Sequence, residues 1–432
     1  MQLMTSAVAC ALFLISAPGL AQVTSPELGS AQTLAPMTLR QALTRAALAN
    51  PSLRAKQAQL DAAEGASTDA SALLFNNPQL SLEKTRRLVP QPGSDDERRS
   101  EWGVGLSQAF ETGGQGRFRR EASASALHAL RHEIADTQRQ VRSEVSSRFY
   151  RVLTLQQRVE LETQALKLFD DAATAVQKRR SAGEDTKLDA NVAMVEAERA
   201  RNQLALAQEQ LNEARNELAA RLQLAAATLP QAQGDLALVT TGYTLNDLLI
   251  SLERQPRLLA LVERERSANA RLQLENANVY PDVTVGLNLG QEGPSSARER
   301  LTMLSISVPL PLFKRNATGI GQAATDATQA LIERESTLRD FRANVSALWF
   351  RLVSQEQRVR RLQESVVPAL TENQSLSIKS RQAGQIGLLE LIVVNRQALD
   401  ARRDLIEALS EYHITRANLE LVSGWPREGT QP

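Results

Sequence analysis

The chain contains two copies of one structural plan, and this duplication limits its possible folds more than any other feature. The segment FYRVLTLQQRV, Phe149–Val159, aligns with WFRLVSQEQRV, Trp349–Val359, which lies 200 residues later. Three further pairs match in the same order: TLRQALTRAALANP with TLNDLLISLERQP, NPQLSL with YPDVTV, and SAGEDTKLD with QAGQIGLLE. A single match could arise by chance between helical regions, but several in the same order indicate a tandem duplication.

The duplication divides the chain into a first repeat over residues 22–225, a linker over 226–242, a second repeat over 243–425 and a tail over 426–432. Before the first repeat, the apolar run Ser6–Ala21 ends in a small-x-small pattern, Gly19 and Ala21, which is typical of a signal peptide. We therefore expect a signal peptide over residues 1–21; the alternative is an apolar N-terminus that is retained. The only cysteine, Cys10, lies in this segment, so the mature chain would have no disulfide and no thiolate metal site.

Each repeat contains two segments in which apolar residues alternate with small or polar ones, a period that predicts β-strands. In the second repeat, for example, Val283, Val285, Leu287 and Leu289 alternate in this way. The predicted strands cover residues 78–88 and 101–110 in the first repeat, and 281–290 and 301–310 in the second. A strand of about ten residues can cross a bilayer when tilted. Polar loops, VPQPGSDDERRS and QEGPSSARER, are predicted between the strands of each pair.

After each strand pair the apolar period becomes helical, with the three-four or seven spacing of coiled coils. We predict long antiparallel helical hairpins over residues 117–225 and 318–424, each closed by an Ala-Gly pair at Gly183 or Gly384. An outgoing helix of roughly 60 residues would be on the order of 90 Å long. Aromatic residues make up only 4% of the chain, which argues against a large aromatic globular core. The alternative of a filamentous rod leaves the repeated strand patterns unexplained.

The two predicted joints between strand and helix differ in sequence. In SVPLPLFKRNATG, Pro309 and Pro311 cannot donate to a β-ladder, so they should mark the end of the strand, and Asn-Ala-Thr-Gly can start the helix. In ETGGQGR, Gly113 and Gly114 supply flexibility at the equivalent place. Different geometries are therefore possible at the two joints.

Charge and motifs exclude several functions. Lys plus Arg, 50, nearly equals Asp plus Glu, 49, so the chain has no electrostatic footprint for nucleic acid. His128 and His132 lie four apart, a spacing that can share a metal ion, but the nearby Glu133 points off that helix face, which favours a solvated surface. No catalytic triad, zinc-protease or phosphate-loop pattern is present. We predict that the protein is not an enzyme and has neither a cofactor nor a metal site.

The duplicated arrangement of strand pair, long hairpin and short flanking helices resembles the TolC-like outer membrane factors. The motifs NNPQL, YPDVTVGL, VPLPLFKRN and ETGG are similar to the CzcC branch, the outer membrane components of heavy-metal efflux systems. The resemblance implies a mixed α+β membrane protein. In it, a homotrimer with four strands per chain would form one outer membrane β-barrel that continues into a long periplasmic α-helical coiled-coil barrel. Oligomerisation is also a physical requirement, because a sheet of only four strands would leave unpaired edges exposed to lipid.

The resemblance also implies partners: outer membrane lipid of a Gram-negative bacterium, a periplasmic adaptor and an inner-membrane pump of the RND type. Adaptor contacts would lie at the hairpin tips, on Gly183, Leu188, Asp189, Gly384, Leu388, Leu389 and Glu390. The alternative for these residues is ordinary turn and helix-cap chemistry. The implied function is passive export of divalent cations such as cobalt, zinc and cadmium. An outer membrane duct for organic compounds or secreted polypeptides is the alternative, and a periplasmic adaptor is disfavoured by the duplication.

Overall fold

The computed structural model describes residues 36–93, 95–225, 228–294 and 296–425. The predicted signal peptide, the predicted tail and residues 226 and 227 of the predicted linker lie outside the described residues. In chain order the elements are β1 (Met37–Thr38), α1 (Leu39–Ala49), α2 (Pro51–Gln57), α3 (Gln59–Ala70), β2 (Gln79–Val89), β3 (Glu97–Phe110), α4 (Gln115–Ser181), α5 (Lys187–Arg221), β4 (Ala232–Gln233), α6 (Leu245–Ser251), α7 (Pro256–Ala277), β5 (Val283–Glu292), β6 (Glu299–Ser307), α8 (Ala317–Arg361), α9 (Val367–Gln382) and α10 (Leu388–Ser423). A short 3-10 turn, Leu252–Arg254, follows α6, and a π-helical turn, Leu362–Val366, joins α8 to α9.

Four strands form one antiparallel sheet in the order β2-β3-β5-β6, so its central pair joins the two repeats. The register places Leu80, Leu106, Leu287 and Leu304 opposite one another across the sheet. Since successive side chains alternate between faces, these leucines share one side, here called the apolar face. The adjacent row, on the opposite or polar face, consists of Gln79, Ser107, Gly286 and Ser305.

Strand bounds differ from the predicted ranges. β3 begins at Glu97 instead of 101, because Glu97 still pairs with Val89 of β2. β6 ends at Ser307 instead of 310, since its ladder stops at the pair with Thr284 and Pro309 lacks an N–H group to extend it. β2 and β5 lie within two residues of their predicted bounds. The two loops are therefore shorter than predicted and cover only 90–96 and 293–298.

Both joints between strand and helix contact the C-terminal end of α7. A Cβ atom on Gly113 would lie 2.7 Å from the carbonyl oxygen of Ala277, so only glycine fits there. In the second joint, Asn316 Nδ2 donates hydrogen bonds to the main-chain oxygen of Glu275 at 2.9 Å and to its Oε2 at 2.6 Å. The residue before each long helix is left-handed, with φ 77° at Gly114 and 54° at Asn316. At this one position the two joints thus have the same backbone conformation despite their different sequences.

The long helices of the two repeats differ in continuity. α4 runs without a break for 67 residues, on the order of 100 Å. The periodicity predicts the same helix in the second repeat, but there the π-helical turn Leu362–Val366 separates α8 from α9. The cause is Pro368, the second residue of α9, which cannot donate a helical hydrogen bond. No helix in the described part of the chain is both long and apolar enough to span a membrane.

The main apolar core lies near the middle of the long helices. There Phe149 of α4, Leu218 of α5 and Leu352 of α8 are buried in one cluster, which also includes side chains of α10 and of the short helix α6. Two side chains of α10 fix the linker to this core. Tyr412 donates a hydrogen bond to the carbonyl oxygen of Val239 at 2.5 Å, and His413 Nε2 lies 3.0 Å from that of Ala237. Burial lowers the pKa of His413 to about 4, so its ring is neutral near pH 7.

Candidate functional site

The ends of the two helical hairpins form the first part of the candidate site. Gly183 and Gly384 have φ values of 83° and 73°, and a Cβ atom added to either glycine would meet no described atom within 4 Å. The following residues turn back onto the helix: Glu184 N donates to the Arg179 oxygen at 3.0 Å, and Gln385 N to the Ser380 oxygen at 2.8 Å. These are glycine-terminated helix ends, in which the left-handed residue lets the chain reverse within a few residues.

The returning helices start differently in the two repeats. At α5, Thr186 and Asp189 form a reciprocal cap, in which Asp189 N donates to Thr186 Oγ1 at 3.1 Å and Thr186 N donates to Asp189 Oδ2 at 3.2 Å. The hydrogen bonds from Thr186 lower the pKa of the Asp189 carboxyl below its usual range. At α10, Gly387 precedes the helix and supplies no side-chain cap, and Glu390 lies in the first turn. The Asp189 carboxylate is therefore occupied by hydrogen bonds that cap its own helix.

One carboxylate connects the two hairpin ends. Asp185 Oδ1 accepts from Arg179 of its own hairpin at 2.9 Å and from Arg381 of the other at 3.4 Å. Arg381 also donates to the carbonyl oxygen of Ile386 at 3.1 Å. The Asp185 side chain is only 6% exposed, so its charge depends on these two guanidinium groups. This contact was not predicted from the sequence, although three basic residues at the end of α4, Lys178, Arg179 and Arg180, precede the acidic Glu184-Asp185 pair.

Replacing Asp185 with Asn should loosen the hairpin ends, because hydrogen bonds to charged groups contribute about 1.5–3 kcal/mol. Amide hydrogen exchange in residues 176–190 and 376–390 should then accelerate by roughly tenfold or more. Glu184→Gln is the matched control, since the Glu184 side chain is 64% exposed and its ion pair with Arg179 is long, at 3.5 Å. Equal exchange in both variants would show that Asp185 does not join the two ends.

An apolar cluster beneath the ion pair packs the two hairpins together. Val176, Ala190 and Ala193 of the first hairpin contact Leu388 and Ile392 of the second. Leu388, which the resemblance assigned to the adaptor contact, is only 4% exposed, and its side chain packs in this cluster. This cluster therefore includes apolar side chains from both hairpins.

The surface of the hairpin ends carries exposed apolar side chains. Leu188 and Leu389, at equivalent positions of the two repeats, are 68% and 58% exposed. Met194 and Val195 on α5 and Val393 on α10 are more than half exposed as well. We call these five residues the tip patch. Exposed apolar groups gathered at one end of a long hairpin are typical of a surface that another protein covers.

Buried ion pairs hold the hairpins together further along the helices. Glu162 of α4 is fully buried and accepts from Arg403 Nε of α10 at 2.9 Å, and Glu196 of α5 accepts from Arg396 Nε at 2.7 Å. Periodicity could not reveal these pairs, because the partners belong to different repeats. Their geometry fixes α10 against both helices of the first hairpin.

The end of the polar sheet face that lies away from the helices, here called its far end, forms the second part of the candidate site. It carries five carboxylates and two guanidinium groups, on Glu83, Glu97, Glu101, Glu292, Glu299, Arg87 and Arg99. Arg87 pairs with Glu101 at 3.3 Å and Arg99 with Glu97 at 2.9 Å. The remaining three carboxylates have no ion pair with any described residue, so this end of the polar face is acidic.

The histidine pair has no third metal-ligating side chain grouped with it among the described residues. His128 is exposed and His132 half-buried on α4, while Glu133 is engaged by Lys56 at 2.5 Å and by Arg264. Within residues 36–93, 95–225, 228–294 and 296–425, no three His, Cys, Asp or Glu side chains are grouped so that they could hold a metal ion.

A family model described as "Outer membrane efflux protein" matches residues 42–223 and 249–424, which include most of both repeats. The chain belongs to the outer membrane efflux protein family. The resemblance noted in the sequence is thereby confirmed. Members of this family are outer membrane channels, not enzymes, and they act with a periplasmic adaptor and an inner-membrane pump.

Similarity to other outer membrane efflux proteins covers nearly the whole chain. The cobalt-zinc-cadmium resistance protein CzcC of Cupriavidus metallidurans is 25% identical over 391 residues, which cover 90% of each chain. Among solved structures, CusC superimposes with a TM-score of 0.74 at 17% identity, covering 89% of this chain and 91% of its own. VceC of Vibrio cholerae superimposes with a TM-score of 0.75 at 19% identity, covering 89% and 96%. These superpositions establish the common fold.

Proposed function

We propose that this chain forms a homotrimeric outer membrane channel that passively releases divalent cations delivered by an inner-membrane pump through a periplasmic adaptor. One observation carries the proposal: a member of the outer membrane efflux family combines a sheet that has an apolar face with long helical hairpins. The sheet provides the membrane part, the hairpins the large periplasmic part, and the tip patch the adaptor contact. A pump of the RND type is the proposed energy source.

The open edges of the sheet support closure of a β-barrel by several copies of the chain. β2 and β6 are the edges of the sheet and have no further strand partner among the described residues. Unpaired edges cannot remain in lipid, where backbone groups have no water to bind. Since neighbouring strands alternate in direction, β6 of one copy can pair antiparallel with β2 of the next. Three copies would close a barrel of twelve strands with the apolar face outward and the acidic polar face inward.

Two observations favour divalent cations as the cargo. The CzcC relative is named for resistance to cobalt, zinc and cadmium. The far end of the polar face, inward in a closed barrel, has five carboxylates against two guanidinium groups, an excess of three negative charges per chain. An acidic exit lowers the electrostatic barrier for cations and raises it for anions.

The experiment that tests this cargo is deletion of the gene, followed by complementation. Deleted cells should tolerate less cobalt, zinc or cadmium and contain more of the metal by elemental analysis, and the wild-type gene should restore both. Unchanged metal tolerance with increased sensitivity to detergents or dyes would contradict the cation cargo and favour a duct for organic compounds.

A further inference from the structure

Charged side chains on the four long strands are sorted by face. Every carboxylate on β2, β3, β5 and β6 lies on the polar face, as do Arg87 and Arg99. The charged side chains of the apolar face are all cations, on Lys84, Arg86, Arg98 and Arg300. We call these four residues the cationic band. The polar face thus carries both signs, whereas the apolar face of these strands carries no carboxylate, and this exclusion needs a physical cause.

The cationic band begins where the apolar rows end. The row Leu82, Val104, Leu289 and Thr302 is followed, away from the helices, by the row Lys84, Trp102, Gln291 and Arg300. Trp102 is 49% exposed there and donates from Nε1 to Gln291 Oε1 at 3.1 Å. A tryptophan with its ring on apolar surface and its N–H bonded to a polar group is typical of a membrane-water boundary. Arg86 and Arg98 lie just beyond this boundary.

The band has no counter-charge among the described residues. All four side chains are exposed, and none forms an ion pair within the described part of the chain. Arg87 and Arg99, at the same level on the opposite face, are both paired with carboxylates. Arg86 and Arg98 also line an open cleft at this end of the strands, together with Leu88, Ser100 and the paired Arg87 and Arg99. Their charge is therefore available to an external anion.

We propose that the cationic band binds phosphate-bearing lipid headgroups in the leaflet around the far end of the strands. Lys and Arg can lay their apolar stems along the sheet and hold the charge at headgroup level. Guanidinium groups also match phosphate oxygens in geometry and charge. Each cation near a membrane surface strengthens attraction to anionic lipid by about fivefold. The inference rests on the proposed position of the sheet in the membrane and is independent of the cargo.

The test measures binding of fluorescent lipid A, which carries two phosphate groups, to the detergent-solubilised full-length protein. Lipid A stripped of its phosphates is the second probe, and it shares the acyl chains. The wild-type protein should prefer the phosphorylated lipid, and Arg86→Gln with Arg98→Gln should weaken that binding by roughly 25-fold. Arg87→Gln is the matched control: Arg87 lines the same cleft, but it lies on the opposite face and is paired with Glu101, so the affinity should stay nearly unchanged.

Two results would overturn the proposal: equal wild-type affinity for both lipids, or an equal loss in Arg87→Gln. If the double variant does not assemble, Lys84→Gln and Arg300→Gln tested singly should each lose about fivefold. Strand content by circular dichroism and the oligomer size must match the wild type in every variant compared. A failure of the metal-export test would leave this binding result unaffected, so the two proposals can fail separately.

Discussion

Arginine in place of Leu304 should strongly reduce the amount of protein in the outer membrane, whereas arginine in place of Met303 should not. The two residues are neighbours on β6 and are 70% and 57% exposed in the single chain. Leu304 lies in the middle of the apolar face, in the row of Leu287, while Met303 lies on the polar face. A lipid-facing arginine near the bilayer midplane costs about 2–4 kcal/mol. Threefold symmetry would impose that cost three times in each assembled channel.

The measurement is the quantity of heat-resistant oligomer in outer membrane fractions, with equal synthesis verified in whole cells. Because the two substitutions introduce the same side chain one residue apart, general effects on secretion or proteolysis apply to both. Equal abundance of the two variants would contradict the assignment of the apolar face to lipid.

Valine in place of Gly384 should abolish export while leaving assembly intact. A left-handed backbone costs a β-branched residue on the order of 1–3 kcal/mol. The turn would shift to relieve that strain and displace Leu389 of the tip patch. Since the strands lie on the order of 100 Å away along the helices, barrel insertion should be unaffected.

Gly387→Val is the matched control for this prediction. Gly387 lies in the same turn and is equally free of close neighbours among the described residues, but its φ is −76°, which any residue adopts. A photo-crosslinker attached to Leu389→Cys reports the adaptor contact, because the only natural cysteine, Cys10, lies in the predicted signal peptide. Wild-type cross-linking and metal tolerance in Gly384→Val would mean that this turn does not position the adaptor contact.

The architecture was predictable from the sequence wherever a local pattern encodes it. Alternation in Val283, Val285, Leu287 and Leu289 identifies a strand because the apolar face requires period two. The helical turns were recognisable from Gly183 and Gly384, since a left-handed residue there favours glycine. Strand ends were less certain, because Glu97 continues the ladder within a segment whose charges suggested a loop.

Contacts between the repeats could not be predicted in the same way. Asp185 and Arg381 are separated by 196 residues, and no local pattern indicates that they meet. Leu388 and Leu389 are identical neighbours in sequence, yet one is buried and the other exposed, because only the packing of α10 on the first hairpin decides which side faces inward. The break at Pro368 was visible as a proline, but the π-helical turn that accommodates it is a property of the packed helix.

The most direct test of the cation channel is the rate at which preloaded cells release radioactive zinc or cobalt. Three strains should be compared: a deletion strain, the same strain with the wild-type gene, and the strain with Gly384→Val. We predict rapid release only with the wild-type gene, although Gly384→Val reaches the outer membrane in normal amount. Equal release from the deletion and wild-type strains would contradict the claim that divalent cations leave the cell through this protein.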